Sequence, residues 1–454
     1  MTTLPPVALF QYLALALLLL LALRCLHAYR GVSLLAIVSL CLGAELGIMY
    51  YGCASLGSTQ LSDSAVERFG LSLVAAYIIL SLFMLLELRY AQKGTITAAA
   101  EPARLTAGWR IIVAVLLIGL LVQQFTSTVG TYVLQHGASS LGGSDYYAVR
   151  TELIEVEAEN LSRFALHFAS IARRTVFIAL IVAGCELARR KELVTGVLFV
   201  FYTAGLALAE ATRYQKGPVV YVLAAAALPF LFPKHRASGS VFVVALVRAA
   251  AFLLLLMLLG VASLFFTQGM AIEDAALFVL ERFFIIPTST SCMYFEVYPD
   301  LHPFVYWADL RPVREMFGIQ HLAPLSGVLS GDVAFLLTGF RYNANASFVA
   351  ESWAAAGFVG VAVGTVFFAG FCFAVDRFTS KRASAHDCGP LSMYYWLGFT
   401  VYGNSAVLYC ILEHGLWLVP FIYFRMLEPR PLAPQGAAAP CRAGEAPAAS
   451  GAPA

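Results

Sequence analysis

Apolar runs near twenty residues long recur along the chain, separated by short polar stretches. They cover 5–23, 31–52, 70–89, 108–129, 164–187, 193–209, 217–233, 240–266, 352–375, 391–409 and 411–426. A helix rises about 1.5 Å per residue, so a run of this length matches the ~30 Å hydrocarbon core of a bilayer. The pattern predicts an all-α polytopic membrane protein with about 11 transmembrane helices. The last two runs are short and closely joined, as in a broken or re-entrant pair. The first run has no basic leader and is long enough to span, so it reads as a retained helix and not a cleaved signal.

The stretches between the runs alternate in charge. Arg24 and Arg30 follow the first run, and Arg89, Lys93, Arg104 and Arg110 flank the loop after the third. Arg189, Arg190 and Lys191 follow the fifth run, Lys234 and Arg236 the seventh, and Arg377, Lys381 and Arg382 the ninth. Basic loops stay on the cytoplasmic side. The alternation therefore predicts an N-terminus outside, in the periplasm of a bacterial inner-membrane protein, and a C-terminus in the cytoplasm.

The opposite loops have another character. Residues 130–163 include "YYAVRTELIEVEAENLSRFALHF", the pattern of an acidic amphipathic surface helix. "EATRYQKGP", Glu210 to Pro218, is short. The third, 267–350, is the largest and is rich in aromatics and prolines, so it is expected to be partly folded. A polytopic domain thus covers 1–427, and the Pro/Ala/Gly tail at 428–454 reads as disordered.

Composition agrees with the pattern. The chain is 454 residues long, 60% hydrophobic and 12% charged, against about 25% charged in soluble domains. A net charge of +2 gives no electrostatic footprint for nucleic acid. The nine cysteines form no CxxC or metal-ligand spacing, and most lie in or beside apolar runs as small hydrophobes. A Cys53–Cys292 disulfide across the outer face is one pairing left open. HExxH, P-loop, GxGxxG and DxD motifs are missing, which argues against a metal-dependent soluble-type glycosyltransferase or an ATP-driven pump. No metal or cofactor site is expected.

Two polar clusters stand out on the predicted outer face. Glu210, Arg213, Tyr214, Gln215 and Lys216 lie between the sixth and seventh runs, where positive charge is disfavoured unless it has a purpose. Arg and Lys suit an anionic diphosphate, the first by its planar donor fork and the second as a point charge. Headgroup contact is the plainer alternative. The second cluster opens "RYNANASFVAESWAAAGFVGVAVG", with Arg341, Asn343, Asn345 and Glu351 against the mouth of a span. An Arg341–Glu351 ion pair is the plain explanation. Amides and an acid binding sugar hydroxyls, with Arg341 on a phosphate, is the functional one. The large loop adds Arg282, Glu296, His302, Tyr306, Trp307, Asp309, Arg311 and Arg314, a mixture of rings and charges that suits either a carbohydrate or the membrane interface.

Three features give the chain a resemblance to the Wzy-type polymerases of O-antigen and exopolysaccharide repeat units. They are "ATRYQKGPVVYVLAAAALPFLF", a dominant outer loop before the last spans, and "ANASFVAESWAAAGFVGVAVGTVFFAGFCFAVDRF" with its acid, its "fG..G" turn and its basic end. The resemblance covers about 195–380. It implies a GT-C-like fold and a metal-independent glycosyltransferase acting on undecaprenyl-diphosphate-linked oligosaccharides at the periplasmic face. The growing chain would leave its lipid diphosphate and join a hydroxyl of the incoming unit, with a flippase and a chain-length regulator as partners. Arg213, Lys216 and Arg341 would stabilise the leaving diphosphate, and Glu351 is the first choice for a base, ahead of Glu210 and His302. An O-antigen ligase and a flippase or transporter of lipid-linked sugars are the alternatives. A flippase needs charges inside several spans. Glu45 is the clearest intramembrane acid in the sequence, which favours an outer-face site.

Overall fold

The computed structural model describes residues 6–28, 33–47, 61–91, 105–136, 163–211, 216–231, parts of 251–265, 269–281, 285–307, 333, 336–337, 346–380, 411 and 416–426. Among these residues there is no strand. Among the described residues, five helices are long and apolar enough to cross a membrane: Val7–Leu26, Asp63–Tyr90, Ala107–Thr126, Leu193–Ala211 and Phe348–Phe378. Each carries an exposed apolar stripe. Leu9, Leu13, Leu17 and Leu20 line one, Ile111, Val115, Ile118 and Val122 another. Such stripes are too large for a water-facing surface and fit lipid contact.

The described helices form two groups. In the first, α1 (Pro6–Ala28), α2 (Leu34–Leu46) and α3 (Asp63–Ala91) pack with α10 (Ile286–Val297) and α11 (Phe348–Ser380). Gly43 of α2 lets α1 approach, since a Cβ there would sit 2.9 Å from Leu15. In the second, α4 (Ala107–Thr126), α6 (Arg163–Arg190), α7 (Leu193–Ala211) and α8 (Lys216–Leu231) pack together. Here Gly184 lies under Pro229, whose Cγ would be 2.7 Å from an added Cβ. Close approach of this kind is how apolar helices gain dispersion contacts where lipid supplies no hydrophobic drive. The outlying helices are α5 (Thr128–His136), after α4, and α9 (Ile272–Leu280), before α10. The short α12 (Val419–Met426) joins the two groups: Phe421 meets Phe378 of α11 at 5.2 Å, and Met426 O accepts the Thr106 N–H at 3.2 Å.

These contacts fix directions. α3 and α11 run parallel, because Phe295 touches both Phe69 and Trp353 near their starts, while Ser33 bonds both Glu87 and Asp376 near their ends. The Thr106–Met426 bond sets the start of α4 on that same Asp376 end, together with the Arg110–Glu186 ion pair at 3.1 Å.

Three findings depart from the pattern reading. The run 164–187 belongs to a 28-residue helix, α6, but Arg173 and Arg174 interrupt its apolar stretch. Part of the large loop is core: Pro287 to Phe295 of α10 are all buried. Finally, α11 is broken at Ala356 and Gly357, the latter at φ +60°. The break leaves the carbonyls of Ala354 and Ala355 without helical donors, and the backbone N–H groups of Val305 and Tyr306 bond them at 3.0 and 2.8 Å. Residues 391–409 lie outside the described residues, as does most of 240–266.

Candidate functional site

The cost of placing charge among apolar helices is several kcal/mol per ion unless it is paired and hydrogen-bonded. Buried charges are therefore the first place to look for chemistry, and they occur at both ends of the molecule.

At the Asp376 end, Ser33 caps α2 by accepting the Ala36 N–H at 3.1 Å. Asp376 reaches across from α11 and accepts the Leu34 and Leu35 N–H groups at 2.7 and 2.9 Å. The Ser33 hydroxyl also lies 3.0 Å from Glu87 and 3.2 Å from Asp376. A carboxylate on otherwise orphaned amides at a helix start is a strong cap, further favoured by the helix dipole. All three side chains are buried, and Arg377 stacks over the Tyr90 ring beside them at 4.2 Å.

Away from that end, Glu210 closes α7 with its side chain 2% exposed and is ion-paired to Arg173 of α6 at 2.5 Å. Leu120, Ala172 and Ala209 pack together there, which sets the pair inside the apolar layer and short of the Thr126 end of α4. Arg174, the next residue of α6, is also buried, at 5% exposure. Two adjacent arginines and one acid thus occupy the interior of the second group. The chain leaves α7 directly into the segment carrying Arg213 and Tyr214 and re-enters helix at Lys216.

The first group has its own site at the Trp353 end. Ser347 caps α11, accepting the Ala350 N–H with its hydroxyl at 3.4 Å, while its own N–H bonds Ser291 Oγ at 2.8 Å. One turn on, Glu351 is buried, with its backbone N–H on Ser347 O. Trp353 Nε1 donates to Tyr298 O at 2.9 Å, and His302 lies edge-on to the Tyr298 ring at 5.3 Å, half-exposed. Glu296 accepts from both the N–H and the hydroxyl of Ser62, each at 2.8 Å, which ties α10 to the start of α3. Cys292 of α10 is disulfide-bonded. Cys53, the one pairing left open by the sequence, lies outside the described residues, while Cys25 and Cys372 are free.

Of the residues expected from sequence, Glu210, Glu351, His302, Glu296, Tyr306 and Trp307 are described with their side chains. His302 packs on Tyr298, which accepts from Trp353, and Glu351 is buried two residues before Trp353 on α11, whereas Glu210 belongs to the other helix group. Lys216 opens α8, with its side chain outside the described residues. Arg213, Tyr214, Arg282, Arg311, Arg341, Asn343 and Asn345 lie outside them altogether, so the Arg341–Glu351 ion pair does too. Sequence reasoning missed Arg173 and Arg174, although two adjacent cations inside an apolar run are themselves a signal. It also missed Glu87 and Asp376, so buried charge inside helices is more frequent than Glu45 alone suggested. Among the described residues no three of His, Cys, Asp and Glu gather as a metal site. Comparisons with protein-family models, with curated proteins and with solved structures give no match to this chain.

Proposed function

We propose that this membrane protein polymerises undecaprenyl-diphosphate-linked oligosaccharide repeat units, as the Wzy-type resemblance implies, on the side of the membrane where Glu210, Cys292 and Glu351 lie. The observation that carries the proposal is the Arg173–Glu210 pair among apolar helices, with a second buried arginine, Arg174, next in sequence, and Arg213 and Lys216 following Glu210 within six residues of the chain. A diphosphate is an anion that sits where lipid meets sugar. Buried guanidinium groups bind it strongly because little water competes, and Glu210 holds them in place when the site is empty.

In this reading a hydroxyl of the incoming unit attacks the anomeric carbon of the growing chain. The new glycosidic C–O bond forms as the bond to the diphosphate breaks. The hydroxyl proton passes to Glu351 or to the departing diphosphate. Arg173, Arg174, Arg213, Lys216 and Arg341 stabilise negative charge that grows in the transition state, which is where fixed cations accelerate most. Orientation draws on two supports. The basic stretches Arg89, Arg189–Arg190 and Arg377 fall at the Asp376 end, the cytoplasmic signature. Cys25 and Cys372 are free near that end, whereas Cys292, by Ser347, is disulfide-bonded, as an oxidising compartment allows.

The test is the surface polysaccharide of cells that lack the gene and carry either wild type or Arg173→Ala at matched expression. Single repeat units in the deletion, long chains with wild type and short ones with Arg173→Ala are expected. Full-length polymer left unattached in the deletion identifies a ligase instead, and an unchanged profile removes the polysaccharide reading.

A further inference from the structure

The segment from Tyr298 to Trp307 holds two consecutive aromatic residues in the left-handed backbone region, Tyr306 at φ +48° and Trp307 at φ +57°. Bulky L-residues avoid this region, at a cost of order 1–3 kcal/mol each, and hold it only where surrounding structure dictates it. Here the broken end of α11 does so: Ala354 O and Ala355 O take the N–H groups of Val305 and Tyr306. Phe304 seals the joint by packing on Gly357 and meeting Trp353 edge-on at 6.1 Å. The consequence is a rigid presentation of the Tyr306 ring, which is 66% exposed.

Anchoring in a bilayer needs an aromatic ring at the right depth and makes no demand on the backbone beneath it. The neighbourhood is also partly charged and polar. Asp300, 57% exposed, pairs with Arg68 at 2.7 Å, and His302 is half-exposed on the same segment. Ala355, which holds Tyr306, is one helical turn beyond Glu351. An exposed ring on a fixed backbone, beside hydrogen-bonding groups and close to a buried acid, suits a ligand with one apolar face and a hydroxyl rim. We propose that Tyr306, with Trp307, is a stacking platform that seats a pyranose ring of the incoming oligosaccharide beside Glu351. It rests on the glycan-transfer function proposed above.

The backbone supplies the decisive variant. Glycine is at ease at positive φ, so Tyr306→Gly removes the ring while relaxing the chain. The full-length protein carrying Tyr306→Gly, Tyr306→Phe, Tyr306→Trp or Tyr306→Leu is expressed in cells lacking the gene, with polymer length and elongation rate measured, and each purified protein is melted in detergent. Tyr306→Gly is expected to melt at or above wild type yet elongate about tenfold more slowly, while Phe and Trp keep the rate and Leu does not. Wild-type elongation by Tyr306→Gly overturns the platform. So does full activity of Tyr306→Leu, which marks the ring as a bilayer contact only. If deleting the gene leaves the polysaccharide unchanged, the glycan-transfer function fails first and the platform falls with it.

Discussion

Asp376 and Glu210 face the same physical problem and solve it differently. Both carboxylates are buried between helices that cross or line the apolar layer. Asp376 is held by two backbone amides and a serine hydroxyl, groups that belong to the fold and cannot leave it. Glu210 is ion-paired to a side chain, that of Arg173. A helix cap satisfies its acid permanently. An ion pair can be exchanged, because another anion of suitable shape is able to replace the carboxylate on the guanidinium. On the proposed function, the comparison separates a structural staple from an anion-binding site, although the cost of burial is similar at both.

Substitutions test that separation. The largest effect is expected at Arg173→Ala, which on the proposed function removes a donor to the leaving diphosphate and should then slow glycan transfer by about 10²–10³-fold at matched protein level; measured initial rates near wild type would place Arg173 with the staples. Asp376→Ala strands the amides of Leu34 and Leu35, while the Ser33 hydroxyl keeps Glu87. It should cost about 3 kcal/mol of stability, read as a lowered unfolding midpoint in detergent, with activity per folded molecule retained. Gly357→Ala follows, since alanine at φ +60° costs about 1–2 kcal/mol and its Cβ would lie 3.0 Å from Phe304. A thermal shift of the same order as that of a neutral surface variant would show that the break in α11 is free to adjust. The smallest effect belongs to Arg68→Ala. Its ion pair with Asp300 is largely exposed, and exposed pairs contribute about 0–1 kcal/mol, so the melting curve should barely move.

The apolar runs were legible as helices because a bilayer imposes a length that a simple pattern reveals, and the runs 5–23, 70–89, 108–129, 193–209 and 352–375 each fall in a helix able to span. The run 352–375 read as one unbroken span, and the break in α11 at Gly357 entered the sequence reading only through the "fG..G" turn of the resembled family. What hid was pairing at a distance. Nothing near Asp376 in sequence points to Leu34, because the amides it caps are orphaned by a helix start hundreds of residues earlier. Arg173 and Arg174 were absorbed into a span by averaging over a window. α10 lies within the stretch expected to be a partly folded outer loop, and its burial was not legible there; Ser289 and Ser291 turn their hydroxyls onto carbonyls one turn back and so enter the core satisfied.

The central claim is that the arginines beside Glu210 serve a leaving diphosphate. The most direct measurement uses full-length protein in lipid vesicles, supplied with undecaprenyl-diphosphate-linked repeat units extracted from cells lacking the gene. Glycan length and released undecaprenyl diphosphate are followed together for wild type and Arg173→Ala. A ladder of growing chains, one undecaprenyl diphosphate freed per bond formed, and loss of both signals in Arg173→Ala are predicted. A ladder of equal rate in Arg173→Ala, or no ladder with wild type, would contradict it.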